Sequence, residues 1–109
     1  MPRDQVEAAY FTLLRARDEV AALTRYGEYL LDEQRRLHRS RTEAGALATG
    51  VDRRLLRALR HTDGPLDEAI DARLALIADE RGRLPERLAA AEAFVLEAEA
   101  DHAALRNGA

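Results

Sequence analysis

The chain has 109 residues, a formal net charge of −3, 47% hydrophobic and 34% charged residues, and no cysteine. That length predicts one domain, the apolar content excludes disorder over most of the chain, and the missing cysteine excludes disulfides, thiolate chemistry and Cys-ligated zinc or iron–sulfur centres. No apolar run nears the ~18 residues of a membrane span, and Met-Pro-Arg-Asp-Gln at the start has no signal-peptide core, so the expected location is cytoplasmic.

Alanine (22) and leucine (17) dominate the apolar residues, against six Val plus Ile and five aromatics. This composition forms helices and offers little to strands. The predicted fold is all-α: a long antiparallel helical, coiled-coil-like hairpin in one domain, 1–109, with a short amphipathic helix in the connection. Its hydrophobic core is a thin seam, so a partner or self-association is expected to contribute to stability.

The first helix is predicted over about 3–42. Val6, Ala9, Leu13, Ala16, Val20, Leu23, Gly27, Leu30, Gln34 and Leu37 recur at alternating spacings of three and four, the mark of a heptad seam. Pro2 suits a first helical turn, and Asp4 and Glu7 complement the positive helix end. Gly27 costs about 1 kcal/mol relative to Ala. Its expected compensation is close approach of the other helix or room for a large side chain, with Phe94 a candidate.

The stretch Glu43–Gly50 carries two glycines and reads as a break. A short helix is then predicted over 51–61. Val51, Leu55 and Leu59 follow at helical spacing, Leu56 stands beside them, and Arg53, Arg54, Arg57 and Arg60 occupy the other faces. The leucines are expected to fold back over the hairpin end. His61-Thr-Asp-Gly64 ends this helix in the same reading.

The third helix is predicted over 65–106, with Asp63 as N-cap and Asn107-Gly108 as the stop. Leu66, Ile70, Leu74, Ile77, Arg81, Leu84, Leu88, Ala91, Val95, Ala98, His102 and Leu105 form its seam. Pro85 cannot donate to the carbonyl of Arg81, so a kink or break is expected at 82–85, near Gly82-Pro85. The unbroken apolar phase favours the kink. In an antiparallel pair, Ala9 and Ala16 fall opposite Ala91 and Ala98, small against small. That agreement supports the hairpin.

Charge is segregated along the chain. All 17 basic residues are arginine, which is most simply a coding bias; their placement is more informative. Residues 35–61 sum to +6, residues 1–34 to −3 and residues 62–109 to −6. Arg35, Arg36, Arg39, Arg41, Arg53, Arg54, Arg57 and Arg60 therefore make a basic cap where the arms turn around. Arginine forks bind carboxylate and phosphate, so an acidic protein is the expected partner. Nucleic acid is the alternative, less favoured because the cap lacks aromatic residues and the whole chain is acidic. The chain's own acidic arms are also candidates. The bland alternative is that these arginines complement a helix C-terminus and pair with nearby acids.

Phe11, Leu14 and Tyr29 lie off the first seam and suggest self-association, with a homodimeric four-helix bundle as the form. Glu99 and His102 have the Glu-x-x-His spacing of carboxylate-bridged metal bundles, but further ligands are missing from matching seam positions. No metal, cofactor or catalytic residue is expected: Ser40, the only serine, has no paired base, and there is no glycine-rich phosphate loop. The expected function is a non-enzymatic helical interaction protein, an adaptor, chaperone-like factor or assembly subunit. A metal- or ligand-binding bundle built by dimerisation is a second alternative.

Overall fold

A computed structural model describes residues 2–48 and 52–108. Among them are two helices, α1 (Pro2–Ala48) and α2 (Arg53–Asn107), and no strand. The two helices pack against each other as an antiparallel hairpin, and the chain divides into two compact units. Met1–Gly27 with Arg83–Ala109 form the first, and Glu28–Gly82 the second.

In the first unit the pairing is antiparallel. Tyr10 meets His102, Arg17 meets Glu99, and Gly27 meets Leu84. Leu13, Ala16 and Ala98 form its buried cluster with Val95 packed against them, and Leu23 is buried further along. Ala16 and Ala98 meet in that cluster, small against small, while Ala9 and Ala91 are half-buried. The second unit pairs Gln34 with Arg81 and Arg41 with Asp71. Leu30, Ile70 and Ile77 are its buried residues, Ile77 the most enclosed at 2% exposure. Every member of the predicted α1 seam is buried or half-buried, while on α2 only Leu66, Arg81 and Leu105 of the predicted seam stay exposed. Each fully buried Leu or Ile contributes about 1.5–3 kcal/mol, and no polar side chain is buried among the described residues.

Gln34 and Arg81, polar residues that interrupt the two seams, find each other. Arg81 Nη1 donates to Gln34 Oε1 at 2.6 Å. A polar pair inside an apolar seam stabilises little, but it disfavours sliding the helices by a heptad, because Gln34 would then face Leu74 or Leu88.

The connection differs from expectation. The helix predicted to end near Thr42 continues to Ala48, through Gly45. Ala44, Ala46, Leu47 and Ala48 are strong helix formers, and together they outweigh the roughly 1 kcal/mol that one glycine costs. Thr49, Gly50 and Val51, expected at the break and the start of the short helix, lie outside the described residues. Asp52 starts the next element: its Oδ1 accepts from the backbone N–H groups of Arg54 (2.9 Å) and Leu55 (3.0 Å), an N-cap. The short helix is present over residues 53–61. The backbone stays helical through 62–64 into the second arm, so Asp63 and Pro65 are interior to α2 rather than at a new start. The same helix passes Gly82 and Pro85 without a break. Gly108 ends it, its N–H donating to the Ala104 carbonyl at 2.7 Å.

Gly27 and Gly82 lie at the boundary between the units and have opposite surroundings. A Cβ on Gly27 would sit 2.7 Å from Leu84 Cδ2, whereas nothing lies within 4 Å of one on Gly82. Leu84, not Phe94, is thus the residue Gly27 makes room for. We expect Gly27→Val to lower stability by about 1–3 kcal/mol, with part of the loss recovered when Leu84→Ala is added. Gly82→Ala should raise stability by about 0.5–1 kcal/mol. Urea titrations of the four variants read both effects, and additivity of the first pair would refute the contact.

Candidate interaction surface

Eight arginines were expected to act as one basic surface, and all lie in the second unit. Two are held internally. Arg36 pairs with Glu33 at 3.2 Å along the same helix. Arg41 crosses from α1 to α2, where it pairs with the Asp71 carboxylate and reaches the Asp67 carbonyl at 3.4 Å. The other six, Arg35, Arg39, Arg53, Arg54, Arg57 and Arg60, are exposed. None of the six forms an ion pair with another described residue.

Their positions rule out a helix-end explanation. Cationic side chains are stabilised at the negative C-terminus of a helix and disfavoured at the positive N-terminus. The last turn of α1 contains no basic residue, since the helix outruns Arg41 by two turns. Arg53, Arg54 and Arg57 stand instead on the first turns of α2, whose first turn contains no acid. The Asp52 cap offsets only part of this adverse field.

Apolar side chains accompany the arginines. Leu55 and Leu66 are 58% and 54% exposed and Leu59 37%. Leu56 is half-buried. It turns into an open groove of about 480 Å³ bordered by Arg41, Leu59, Arg60, Leu66 and Ile70. Of the leucines expected to fold back over the hairpin, Leu56 is half-buried, Leu59 borders the same groove at 37% exposure, and Leu55 stays exposed.

The remaining candidates are dispersed. Phe11 (61%) and Tyr29 (46%) are exposed while Leu14 is half-buried. Phe11 and Leu14 belong to the first unit and Tyr29 to the second. Glu99 is engaged by Arg17 at 3.4 Å, and the His102 ring lies against Tyr10 with centroids 5.6 Å apart. No group of three or more His, Cys, Asp or Glu side chains converges among the described residues. The bundle-type ligand pair is therefore not joined by further carboxylates.

One surface residue went unnoticed in the sequence. Among the described residues Leu96 is the most exposed large hydrophobic one, at 67%. It belongs to a line Ala89, Ala93, Leu96, Ala100, spaced four, three, four, all exposed. This second heptad phase was available in the sequence, but the stronger seam through Ala91, Val95 and Ala98 masks it.

No family model, curated protein or solved structure matches the chain.

Arg41 and Arg57 belong to one basic cluster by sequence but should behave differently on substitution. Arg41→Gln removes a helix-to-helix pair and should cost about 0.5–1 kcal/mol, the range for a partly exposed ion pair. Arg57→Gln should leave stability unchanged or raise it slightly by relieving the helix N-terminus. Equal denaturation midpoints for both variants would refute the distinction.

Proposed function

We propose that this chain is a non-enzymatic helical interaction protein, an adaptor or assembly subunit. It docks an acidic protein partner through the arginine surface of the second unit and self-associates through exposed apolar helix faces. The observation that carries this reading is the placement of Arg53, Arg54, Arg57 and Arg60 on the opening turns of α2. They gain nothing from the helix dipole there and form no ion pair with another described residue. A carboxylate-bearing partner would satisfy both the guanidinium forks and the positive helix end. Leu55, Leu59 and Leu66 give such a partner apolar area to cover, and charged rims set its selectivity and encounter rate. Self-association is supported by ten large hydrophobic residues at 37% exposure or more, against seven buried apolar residues among those described.

The test is a titration of the full chain with labelled poly-glutamate and, in parallel, with duplex DNA and single-stranded RNA. Poly-glutamate should bind, and the quadruple variant Arg53→Gln, Arg54→Gln, Arg57→Gln, Arg60→Gln should bind about tenfold more weakly or worse. Tighter binding of nucleic acid than of poly-glutamate, with a steep salt dependence, would move the reading to a phosphate-binding regulator. Binding unaffected by the four substitutions would overturn the arginine surface as a docking site.

A further inference from the structure

We infer that a line of exposed leucines on α2, within the second unit, is the contact between two copies of this chain, paired antiparallel about a two-fold axis. The inference rests on the self-association half of the reading above. It names the face, and it assigns these leucines to the second copy, leaving the arginines to the acidic partner.

The line is a second heptad phase. Leu55, Leu59, Leu66, Ala69, Arg73 and Leu76 are exposed and recur at spacings of four, seven, three, four and three. Leu55 stands one residue before Leu56, Ala69 before Ile70, Arg73 before Leu74 and Leu76 before Ile77. The later residue of each pair is buried or half-buried, on the inward strip of the helix. One residue is about 100° around a helix, so α2 carries two apolar strips roughly a quarter turn apart. That is the geometry of a helix in a four-helix bundle, which packs against two neighbours. Among the described residues α2 has one. Leu66 was expected on the inward seam; its 54% exposure fits the second line instead. Arg54 and Arg57 project from the other side of α2 and stay open when this line is covered.

The line is complementary to itself, which a two-fold contact requires. Asp52 extends it at one end, three residues before Leu55, and Arg73 stands near the other end. Both are exposed, and neither forms an ion pair with another described residue. Two copies laid antiparallel about an axis close to residue 62 set Leu59 against Leu66 and Leu55 against Ala69. The same overlay brings Asp52 of each copy to Arg73 of the other, so opposite charges close both ends. Sliding one copy by a heptad would instead set Leu59 against Arg73 and Asp52 against Glu80, a leucine on a cation and an acid on an acid. The outer flank of the line, Ala58, Pro65 and Ala72, is exposed and uncharged, so the copies can approach without like-charge contact. From Asp52 to Arg73 the overlap spans 21 residue steps, about 32 Å or three heptads.

Sedimentation of the full chain over a range of concentrations reads the association. The wild type should dimerise. The pair Leu59→Gln, Leu66→Gln should weaken dimerisation about tenfold or more, and Arg73→Glu alone, which sets an acid against Asp52, should weaken it about as much. Far-ultraviolet circular dichroism checks that both variants remain helical. The absence of cysteine permits a test of register. Leu59→Cys and Leu66→Cys, mixed in equal amounts under mild oxidation, should crosslink to each other faster than either crosslinks to itself. A disulfide needs Cα atoms within about 7 Å, and in this overlay like positions are offset by about 10 Å along the axis.

Dimerisation that survives both the Leu59–Leu66 and the Arg73 substitutions overturns the inference, as does a mixture that crosslinks no faster than its components. Self-association through another face would then stand. A wild-type chain that is monomeric at every concentration overturns self-association and this contact together. The arginine surface is judged separately, by the poly-glutamate titration.

Discussion

Two helices packed as a pair can bury only the strip along which they touch. A helix in a larger bundle hides a broader face against several neighbours, but α1 and α2 have one neighbour each among the described residues. Among the described residues seven apolar ones are buried, two of them alanine, and the other described apolar side chains remain at least partly open. The exposed leucines and phenylalanines follow from this limit. Isolated exposed apolar residues are ordinary on protein surfaces, but heptad-spaced lines of them with charged flanks are not. Ala89–Ala100, flanked by Glu86, Glu92 and Glu97, meets that description, whereas Leu55–Leu66, whose arginines occupy the other faces, and Phe11, Leu14 and Tyr29 do not.

A thin seam also makes register a concern. Leucines repeating every three or four residues pack almost as well after a shift of seven, so apolar content alone leaves several pairings close in energy. Three features in this chain discriminate among them. Gly27 accepts Leu84 where any larger residue would collide with it. Gln34 accepts from Arg81. Arg41 reaches across to Asp71. Each is worth about 1 kcal/mol or less in stability, but their combined cost on slippage falls on the wrong registers. Specificity here comes from steric and polar exceptions to the heptad, and stability from the heptad itself.

The seam was legible in the sequence because burial on a helix has a period, and period survives errors in boundary placement. Leu13, Ala16, Leu23, Leu30, Ile70, Ile77 and Ala98 all stand on the predicted lines. Boundaries were less legible. At Gly45 and Pro65 a local breaker signal competes with the helix propensity and apolar phase on both sides, and the cooperative term wins. Asp52 and Asp63 are both acceptable caps by residue type; only the structure shows that Asp52 receives the N–H groups. The arginine cluster was visible as composition, but composition cannot separate Arg41, which binds the two helices together, from Arg57, which does not. That distinction depends on which side chains reach across to the other helix and on where the helices end, and the boundary error around 43–52 moved the predicted ends. Leu96 was missed because one helix can carry two heptad phases, and a search for a seam stops at the first.

The segregation of charge can be judged against this structure. If the arginines of 35–60 existed only to balance nearby acids, cross-helix pairs such as Arg41–Asp71 would recur through the second unit. Arg36 satisfies itself locally, Arg41 is used, and six arginines are left over. If they existed to complement helix dipoles, they would stand in the last turns before Ala48 and Asn107; four stand instead just after Asp52, and Arg35 and Arg39 lie more than two turns short of Ala48. The acids of α2 are left over too, with Glu86, Glu92 and Glu97 facing solvent. Surplus charge of one sign keeps a chain soluble. Surplus of both signs adds no such benefit, because opposite surpluses attract.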